Sequence, residues 1–269
     1  LLIISLRYLI LNKMRSKLII LGCGNSVGVP RIDGFWGNCK KNKKNKRTRC
    51  SAIILKGNNS ILIDTSPDIK TQLINNKIKN LSSVIYTHEH ADQTNGLFEL
   101  RPFFWKNKKE INIYGNFKTI NLLKKRFDYC FKKKSNMYPA IVKPNIIKRK
   151  FSIGNSSEKI LFTTLLVDHG SIKSVAYIFE GTAYISDCND YSLIKKKELM
   201  NLNYLILDCL KYKQNLAHFN LEECINIHKH LKPKRTILTN LHHDLDYNFL
   251  VRTLPKNVLP AYDGLKIDL

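Results

Sequence analysis

The stretch from Tyr86 to Gln93 carries the residue types best suited to chemistry in this chain. His88 and His90 stand two residues apart, so on an extended backbone their side chains point to the same side, and Asp92 continues that side. The apolar run before them, Leu81 to Ile85, predicts a buried strand that ends where these side chains begin. Imidazole and carboxylate groups that a rigid strand delivers into an open loop are typical of a catalytic metal site.

This stretch, here called the metal loop (Tyr86–Gln93), resembles the His-x-His-x-Asp-His signature of the metallo-β-lactamase fold. Gln93 stands where the signature carries its final histidine. Further matching segments resemble one branch of that superfamily, the phosphoribosyl 1,2-cyclic phosphate phosphodiesterase-like hydrolases. These segments are Gly22 to Ser26 with Val29 and Pro30, Arg47 to Ser51, Leu62 to Asp68, Leu100 to Pro102, and Tyr262 to Gly264.

The resemblance implies further metal ligands at the ends of later strands. His169 follows a predicted strand that ends at Val167, and Asp187 follows another predicted strand. In the family, a histidine and an aspartate at these positions complete the first metal site with His88 and His90, and the aspartate bridges to a second ion. We therefore expect these four residues to hold a zinc or manganese ion.

The second metal site departs from the family pattern. The resemblance places Asp92, Asp187, Gln93 and Asn240 there, so amides stand at both positions where the family has imidazoles. An amide oxygen is a weak, neutral ligand that favours harder ions such as Mn²⁺ or Mg²⁺. His242 would face the same side as Asn240 on an extended segment, so it is also a candidate ligand. Three arrangements stay open: one ion, a weakly bound second ion, or a second site rebuilt with His242.

His218 matches a family histidine that contacts the substrate phosphate or protonates the leaving oxygen. The resemblance thus implies a metal-dependent phosphodiesterase for a small cyclic phosphodiester such as phosphoribosyl 1,2-cyclic phosphate. Metal-activated water would attack phosphorus, Asp92 would orient or deprotonate that water, and His218 would protonate the departing oxygen. Without a second ion, a cation from the segment Lys40 to Arg49, or Arg101, would stabilise the phosphate charge.

Other functions stay open. An RNA-processing nuclease of the same fold would explain the basic composition, but the long inserted arm with which the related tRNA 3′-processing enzymes grip tRNA is not evident here. The fold also hosts hydrolases of other substrates, such as thioesters and lactones. A noncatalytic nucleotide-binding or nucleic-acid-binding protein would explain the two amides, whereas retention of all four ligands of the first ion favours an enzyme.

Composition sets further limits. A chain of 269 residues with 43% hydrophobic residues can form one domain with a continuous core. The 45 basic and 21 acidic residues give a formal charge of +24, which a polyanionic partner or a general bias towards Lys, Asn and Ile would each explain.

Seven widely spaced cysteines, without a convincing signal peptide, indicate a reducing cytoplasm. A homodimer is compatible with these features.

Residues Leu1 to Leu11 are apolar, but this segment is too short to span a bilayer and Arg7 interrupts it. Met14 leads directly into the first predicted strand. We therefore expect residues 14–269 to form the domain and residues 1–13 to be a start-site extension or a disordered tail, with a membrane-surface anchor as the alternative.

Predicted strands and helices alternate in both halves of the chain, which indicates an α/β protein. The resemblance implies the four-layer αβ/βα sandwich of the metallo-β-lactamase type, with the metal at the edge between two sheets. Helices are predicted from Ser66 as N-cap to Asn76, over Phe117–Phe131 and Leu193–Met200, and over Leu221–His230 with Asn220 as N-cap.

Overall fold

The computed structural model describes residues 15–133 and 138–269. The expectations for residues 1–13 and for Met14 lie outside this part of the chain. Within the described ranges, no helix combines the length and the apolar character that crossing a bilayer requires.

Two sheets of seven strands each form the centre of the described structure. The first sheet contains β1 (Lys17–Gly22), β2 (Ser51–Lys56), β3 (Asn59–Ile63), β4 (Ser83–Ile85), β5 (Ile111–Gly115), β6 (Val142–Ile146) and β14 (Leu265–Asp268). The second contains β7 (Lys150–Ile153), β8 (Ile160–His169), β9 (Ile172–Phe179), β10 (Thr182–Ile185), β11 (Tyr204–Asp208), β12 (Arg235–Thr239) and β13 (Val258–Pro260). The strand orders are β14-β1-β2-β3-β4-β5-β6 and β13-β12-β11-β10-β9-β8-β7.

Helices cover the outer face of each sheet. They are α1 (Ile69–Asn75), α2 (Ala91–Thr94), α3 (Arg101–Asn107), α4 (Phe117–Arg126), α5 (Asp128–Phe131), α6 (Leu221–Leu231) and α7 (Tyr247–Thr253). Short 3₁₀ segments occupy Leu97–Leu100, Ser156–Glu158, Tyr191–Lys195 and Lys197–Leu199. Apolar residues of α1 and α4 pack on the first sheet, and those of α6 and α7 pack on the second.

Alternation of side chains along the strands produces these layers. In β1, Ile20 belongs to the core between the two sheets, whereas Ile19 belongs to the core beneath the helices. In β11, Ile206 faces the other sheet and Leu205 faces the helices. Strands with both faces buried read as continuous apolar runs, which is why the sequence showed them clearly. The predicted four-layer αβ/βα sandwich is confirmed.

Two predicted helices have different boundaries. Helix α1 begins at Ile69 with Asp68 as its N-cap, and the Ser66 hydroxyl instead accepts a hydrogen bond from the Asp68 amide at 3.2 Å. Ser66 therefore closes a local turn ahead of the helix. The single helix predicted over Phe117–Phe131 breaks at Phe127, where φ is −125° and ψ is 40°.

The later helices show one departure and one agreement. The segment Leu193–Met200 contains two short 3₁₀ pieces instead of the predicted helix. Helix α6 begins after Asn220 as predicted, and Asn220 and Glu223 form a reciprocal capping box.

The Asp263 side chain joins the C-terminal segment to the loop between β1 and β2 by hydrogen bonds. Its carboxylate accepts hydrogen bonds from the Cys23 amide at 3.1 Å, the Thr48 amide at 2.8 Å and the Thr48 hydroxyl at 2.6 Å. Cys23 follows β1 and Thr48 precedes β2, so the C-terminal segment holds the loop that joins these strands.

We predict that Asp263→Asn lowers the free energy of unfolding by about 2 kcal/mol. One accepting oxygen becomes an amide that cannot accept, which leaves a buried donor of Cys23 or Thr48 without its partner. Urea denaturation measures the change. The control is Asp268→Asn, because the Asp268 side chain is 78% exposed in its pair with Lys17; we expect less than about 0.5 kcal/mol there. Equal effects would contradict the structural role of Asp263.

Candidate metal centre

Both sheets hold the metal loop in place. The loop follows β4 of the first sheet and enters α2 at Ala91. From β9 of the second sheet, the Val175 amide donates to the Thr87 carbonyl at 2.9 Å, and the Tyr177 hydroxyl donates to the Tyr86 carbonyl at 2.7 Å. The loop is therefore fixed at the edge where the two sheets meet, as the resemblance implied.

Three imidazoles converge at this edge. His88 Nε2 lies 3.0 Å from His90 Nδ1, and His169 Nε2 lies 3.3 Å from the same atom. Zinc binds imidazole nitrogen at about 2.0–2.1 Å, so two tetrahedral ligands lie about 3.4 Å apart. Burial lowers the pKa of His88 to about 4, so its ring is neutral near pH 7 and has a lone pair available. The three nitrogen atoms fit a divalent cation.

The outer nitrogen atoms of the two buried rings have fixed partners. His88 Nδ1 donates to the Thr87 hydroxyl at 3.0 Å, and that hydroxyl donates to Asp64 Oδ2 at 2.8 Å. Asp64 also accepts the Thr87 amide at 2.8 Å. His169 Nδ1 donates to the Ala217 carbonyl at 2.8 Å. Because both Nδ1 atoms carry the proton, both Nε2 lone pairs face the cluster.

Asp187 lies beside the imidazoles, only 3% exposed. Its Oδ2 is 3.3 Å from the Gln93 amide nitrogen, and its Oδ1 is 3.2 Å from the Asn240 amide nitrogen. The Gln93 nitrogen also lies 3.4 Å from Asp92 Oδ2. The structure thus brings together the four residues that the resemblance placed at the second metal position.

His242 takes a different place. Its ring lies against that of His243, with centroids 3.5 Å apart, and its Nδ1 is 3.1 Å from Asp244 Oδ2. Among the described residues it groups with these two neighbours and not with Asp187. Asn240 has a φ of 61°, so the extended segment that would align His242 with Asn240 does not form. His242 still lines the rim of the same cavity.

His218 reaches the cavity from the segment before α6, and its Nδ1 donates to Asp208 Oδ2 at 2.8 Å. Burial alone would lower the pKa of His218, but the Asp208 carboxylate raises it to about 9, so the ring is an imidazolium at neutral pH. Asp208 is the last residue of β11 and also accepts the Cys188 amide at 2.8 Å and the Asn240 amide at 3.1 Å. The second sheet therefore positions a proton donor beside the imidazole cluster.

A cavity of about 490 Å³ connects these residues to solvent. Its lining comprises His90, Asp92, His169, Asp187, His218, Asn240, His242, Asn25, Ser26, Val27, Leu210, Lys211, Asn215 and Ala217. Of the cations that sequence analysis suggested, Arg49 lines an adjoining cavity, and Arg101 lies over the ring of Trp105 at 4.8 Å. Lys211 is the cation that lines the cavity itself.

Sequence analysis missed Asp64, Thr87, Asp208 and Lys211. The two aspartates could have been predicted from the sequence, because each stands at the end of an apolar strand. A carboxylate at that position needs buried hydrogen-bond partners. No sequence pattern distinguishes Lys211 from the other basic residues of the chain, which number 45 in all.

Comparison with known proteins agrees with this fold. The model of the beta-lactamase superfamily domain matches residues 59–242. A solved structure of a diphosphatase from the PhnP family is 30% identical, covers 95% of this chain and 97% of its own, and superposes with a TM-score of 0.83. The human short-form tRNase Z is 16% identical, with 93% and 98% coverage and a TM-score of 0.65, so it shows the fold alone.

A curated relative, the octanoyltransferase of Porphyromonas gingivalis, is 28% identical over 254 residues, which are 93% of this chain and 51% of that protein. The chain thus spans about half the length of this relative. The match to the domain model covers most of both sheets, and it contains the metal loop, His169, Asp187 and His218. The chain therefore belongs to the beta-lactamase superfamily, has the metallo-β-lactamase fold, and is similar over nearly its whole length to a PhnP-family diphosphatase.

Proposed function

We propose that this protein is a divalent-metal-dependent phosphodiesterase that acts on a small phosphodiester, such as a cyclic sugar phosphate. The observation that carries the proposal is the convergence of three imidazole nitrogen atoms, 3.0 and 3.3 Å apart, beside a buried carboxylate and an imidazolium. His88, His90, His169 and Asp187 would hold the ion. A nitrogen-rich ligand set of this kind favours zinc.

A divalent ion bound there supplies a Lewis acid, which acidifies water and withdraws charge from phosphoryl oxygen. Asp92 lines the cavity and would orient the attacking water and accept its proton. His218 donates a proton to the departing oxygen, and Asp208 keeps the ring in the orientation for that transfer. Lys211 binds a nonbridging oxygen and neutralises part of its charge.

The size of the cavity supports a small substrate. A volume of about 490 Å³ lies within the range of sites for small molecules. The PhnP-family protein that is 30% identical is a diphosphatase, which supports phosphorus-oxygen chemistry. Similarity to tRNase Z concerns the fold, so an RNA substrate has weaker support.

Replacement of His169 by Ala tests the metal proposal. Loss of one of three imidazoles should remove the bound ion and lower hydrolysis of bis(p-nitrophenyl) phosphate by at least about 100-fold. Elemental analysis and initial rates are the measurements. The control is His228→Ala, since His228 bonds to Thr236 outside the cavity. A His169→Ala protein with full metal content and full activity would contradict the proposal.

The Thr87 hydroxyl should strengthen metal binding, because it holds the His88 ring in one tautomer. We expect Thr87→Val to weaken zinc binding by about 10- to 100-fold, because the His88 ring loses the partner that fixes its tautomer. Thr87→Ser keeps the hydroxyl and should bind zinc like the wild type. Competition with a chelator of known affinity measures both variants. Equal affinities for the two variants would show that the Asp64–Thr87–His88 chain has no such effect.

The role of His218 depends on the leaving group. With an alkyl phosphodiester, His218→Gln should lower kcat by about 10²- to 10⁴-fold, because the departing alkoxide needs a proton. With p-nitrophenolate as leaving group, the loss should be much smaller, since that anion departs without one. Steady-state kinetics on both substrates give the comparison. An equal loss on both would assign His218 a structural role only.

A further inference from the structure

The outer nitrogen of His169 is held by a segment without regular secondary structure. This segment, here called the acceptor loop (Asn215–Ala217), lies between β11 and α6. Its Ala217 carbonyl accepts a hydrogen bond from His169 Nδ1 at 2.8 Å. The partner of the outer nitrogen orients a ligand imidazole, so the position of the acceptor loop determines where His169 Nε2 points.

Few contacts fix the acceptor loop. Leu216, at its centre, is 90% exposed, so apolar burial does not hold it. The Asn215 side chain accepts the Ala217 amide at 2.9 Å, but this bond lies within the loop. Within residues 15–133 and 138–269, two hydrogen bonds join the loop to other segments, one from His169 and one from Asn189. Asn189 is thus the support of the loop that does not depend on His169 itself.

Asn189 joins the acceptor loop to the turn that carries His169. Its Nδ2 donates to the Leu216 carbonyl at 2.7 Å, and its Oδ1 accepts the Gly170 amide at 3.0 Å. Its own backbone amide donates to the Asp168 carbonyl at 2.9 Å. Because a carbonyl can only accept and a backbone N–H can only donate, the two side-chain partners fix which end of the Asn189 amide is nitrogen.

The turn and the acceptor loop also lie in direct contact. Gly170 has a φ of 57°, and a Cβ added there would lie 3.1 Å from Ala217 Cβ. Asn189 follows β10, so its hydrogen bonds connect the end of β8, the segment after β10 and the acceptor loop. Three segments held in this way keep a ligand and the acceptor of its outer nitrogen at a constant separation.

We propose that Asn189 is a positioning residue of the metal centre, which holds the Ala217 carbonyl in place as the acceptor of His169 Nδ1. The inference rests on the proposed metal site at His88, His90 and His169. Without the Asn189 amide, the His169 ring alone would tether the acceptor loop, and ring and loop would move together. Loss of such a partner lowers metal affinity by about 10- to 100-fold.

His218, the residue after the acceptor loop, has separate supports. Its Nδ1 donates to Asp208 Oδ2 at 2.8 Å, and the next amide, that of Phe219, donates to the Cys188 carbonyl at 2.9 Å. Loss of the Asn189 side chain should therefore weaken metal binding and leave the proton donor in place. The role of Asn189 is specific to His169.

Zinc affinity in two variants of Asn189 tests the inference. Asn189→Ala removes both side-chain bonds and should weaken zinc binding by about 10-fold. Asn189→Asp keeps an oxygen for the Gly170 amide but places a carboxylate against the Leu216 carbonyl, so it should bind zinc as weakly as the alanine variant; it serves alone if that variant does not fold. Competition with a chelator of known affinity measures both in the full-length, metal-stripped protein.

Asn59→Ala is the matched control. The Asn59 amide also joins two segments, by donating to the Glu158 carbonyl at 2.9 Å, and neither residue lines the cavity of the metal centre. Its zinc affinity should equal that of the wild type. Nuclear magnetic resonance of isotope-labelled histidine rings in the metal-free protein, assigned with His169→Ala, adds a second readout. His169 should show one tautomer in the wild type and in Asn59→Ala, and a mixture in Asn189→Ala.

Wild-type zinc affinity in either Asn189 variant would overturn the inference, as would an equal loss in Asn59→Ala or an unchanged His169 tautomer in Asn189→Ala. The same data separate the inference from the proposed function. A wild type that binds zinc but hydrolyses no phosphodiester would remove the proposed activity, whereas the difference in affinity would still establish the role of Asn189. A folded wild type that binds no zinc would overturn both.

Discussion

The close approach of three imidazoles is the interaction on which this site depends. One ring nitrogen of His90 lies 3.0 Å from His88 Nε2 and 3.3 Å from His169 Nε2, so the three rings need firm support. Strand β4 of the first sheet and strand β8 of the second bring the rings together, and hydrogen bonds from β9 fix the metal loop. The two-sheet architecture thus serves to hold donor atoms in a ligand-like arrangement.

Buried carboxylates form the second level of this support. Asp64, Asp187 and Asp208 each lie at or just after the end of a strand, and each accepts at least two hydrogen bonds from neighbouring donors. A buried charge without such partners would destabilise the fold, so the site can contain these carboxylates only because the hydrogen bonds are present. Asp208 acts through His218 and Asp64 acts through Thr87, so residues outside the cluster determine what its members can do.

Membership of the superfamily fixes the scaffold and leaves the chemistry to a few side chains, because this fold hosts many reactions. In this chain the decisive differences are the amides of Gln93 and Asn240. Neutral donors can satisfy carboxylates, but they do not withdraw charge from a substrate as a cation does. In the proposed reaction, charge neutralisation at the phosphate would fall to Lys211 and His218. A single-ion site would consequently rely more on its protein cations than a two-ion site does.

Sequence alone indicated most of the strands, the capping box of α6 and the residues of the metal loop, since backbone period and local hydrogen bonding are encoded within a few residues. The edge strands β7, β13 and β14 were not predicted. Tertiary structure decided the rest of the site. The pairing of His218 with Asp208 requires two segments to meet, and the left-handed backbone of Asn240 breaks the extended segment that would align it with His242, which groups with His243 and Asp244. A positive φ at one non-glycine residue changes the direction of the side chains that follow it, and only the surrounding packing selects that conformation.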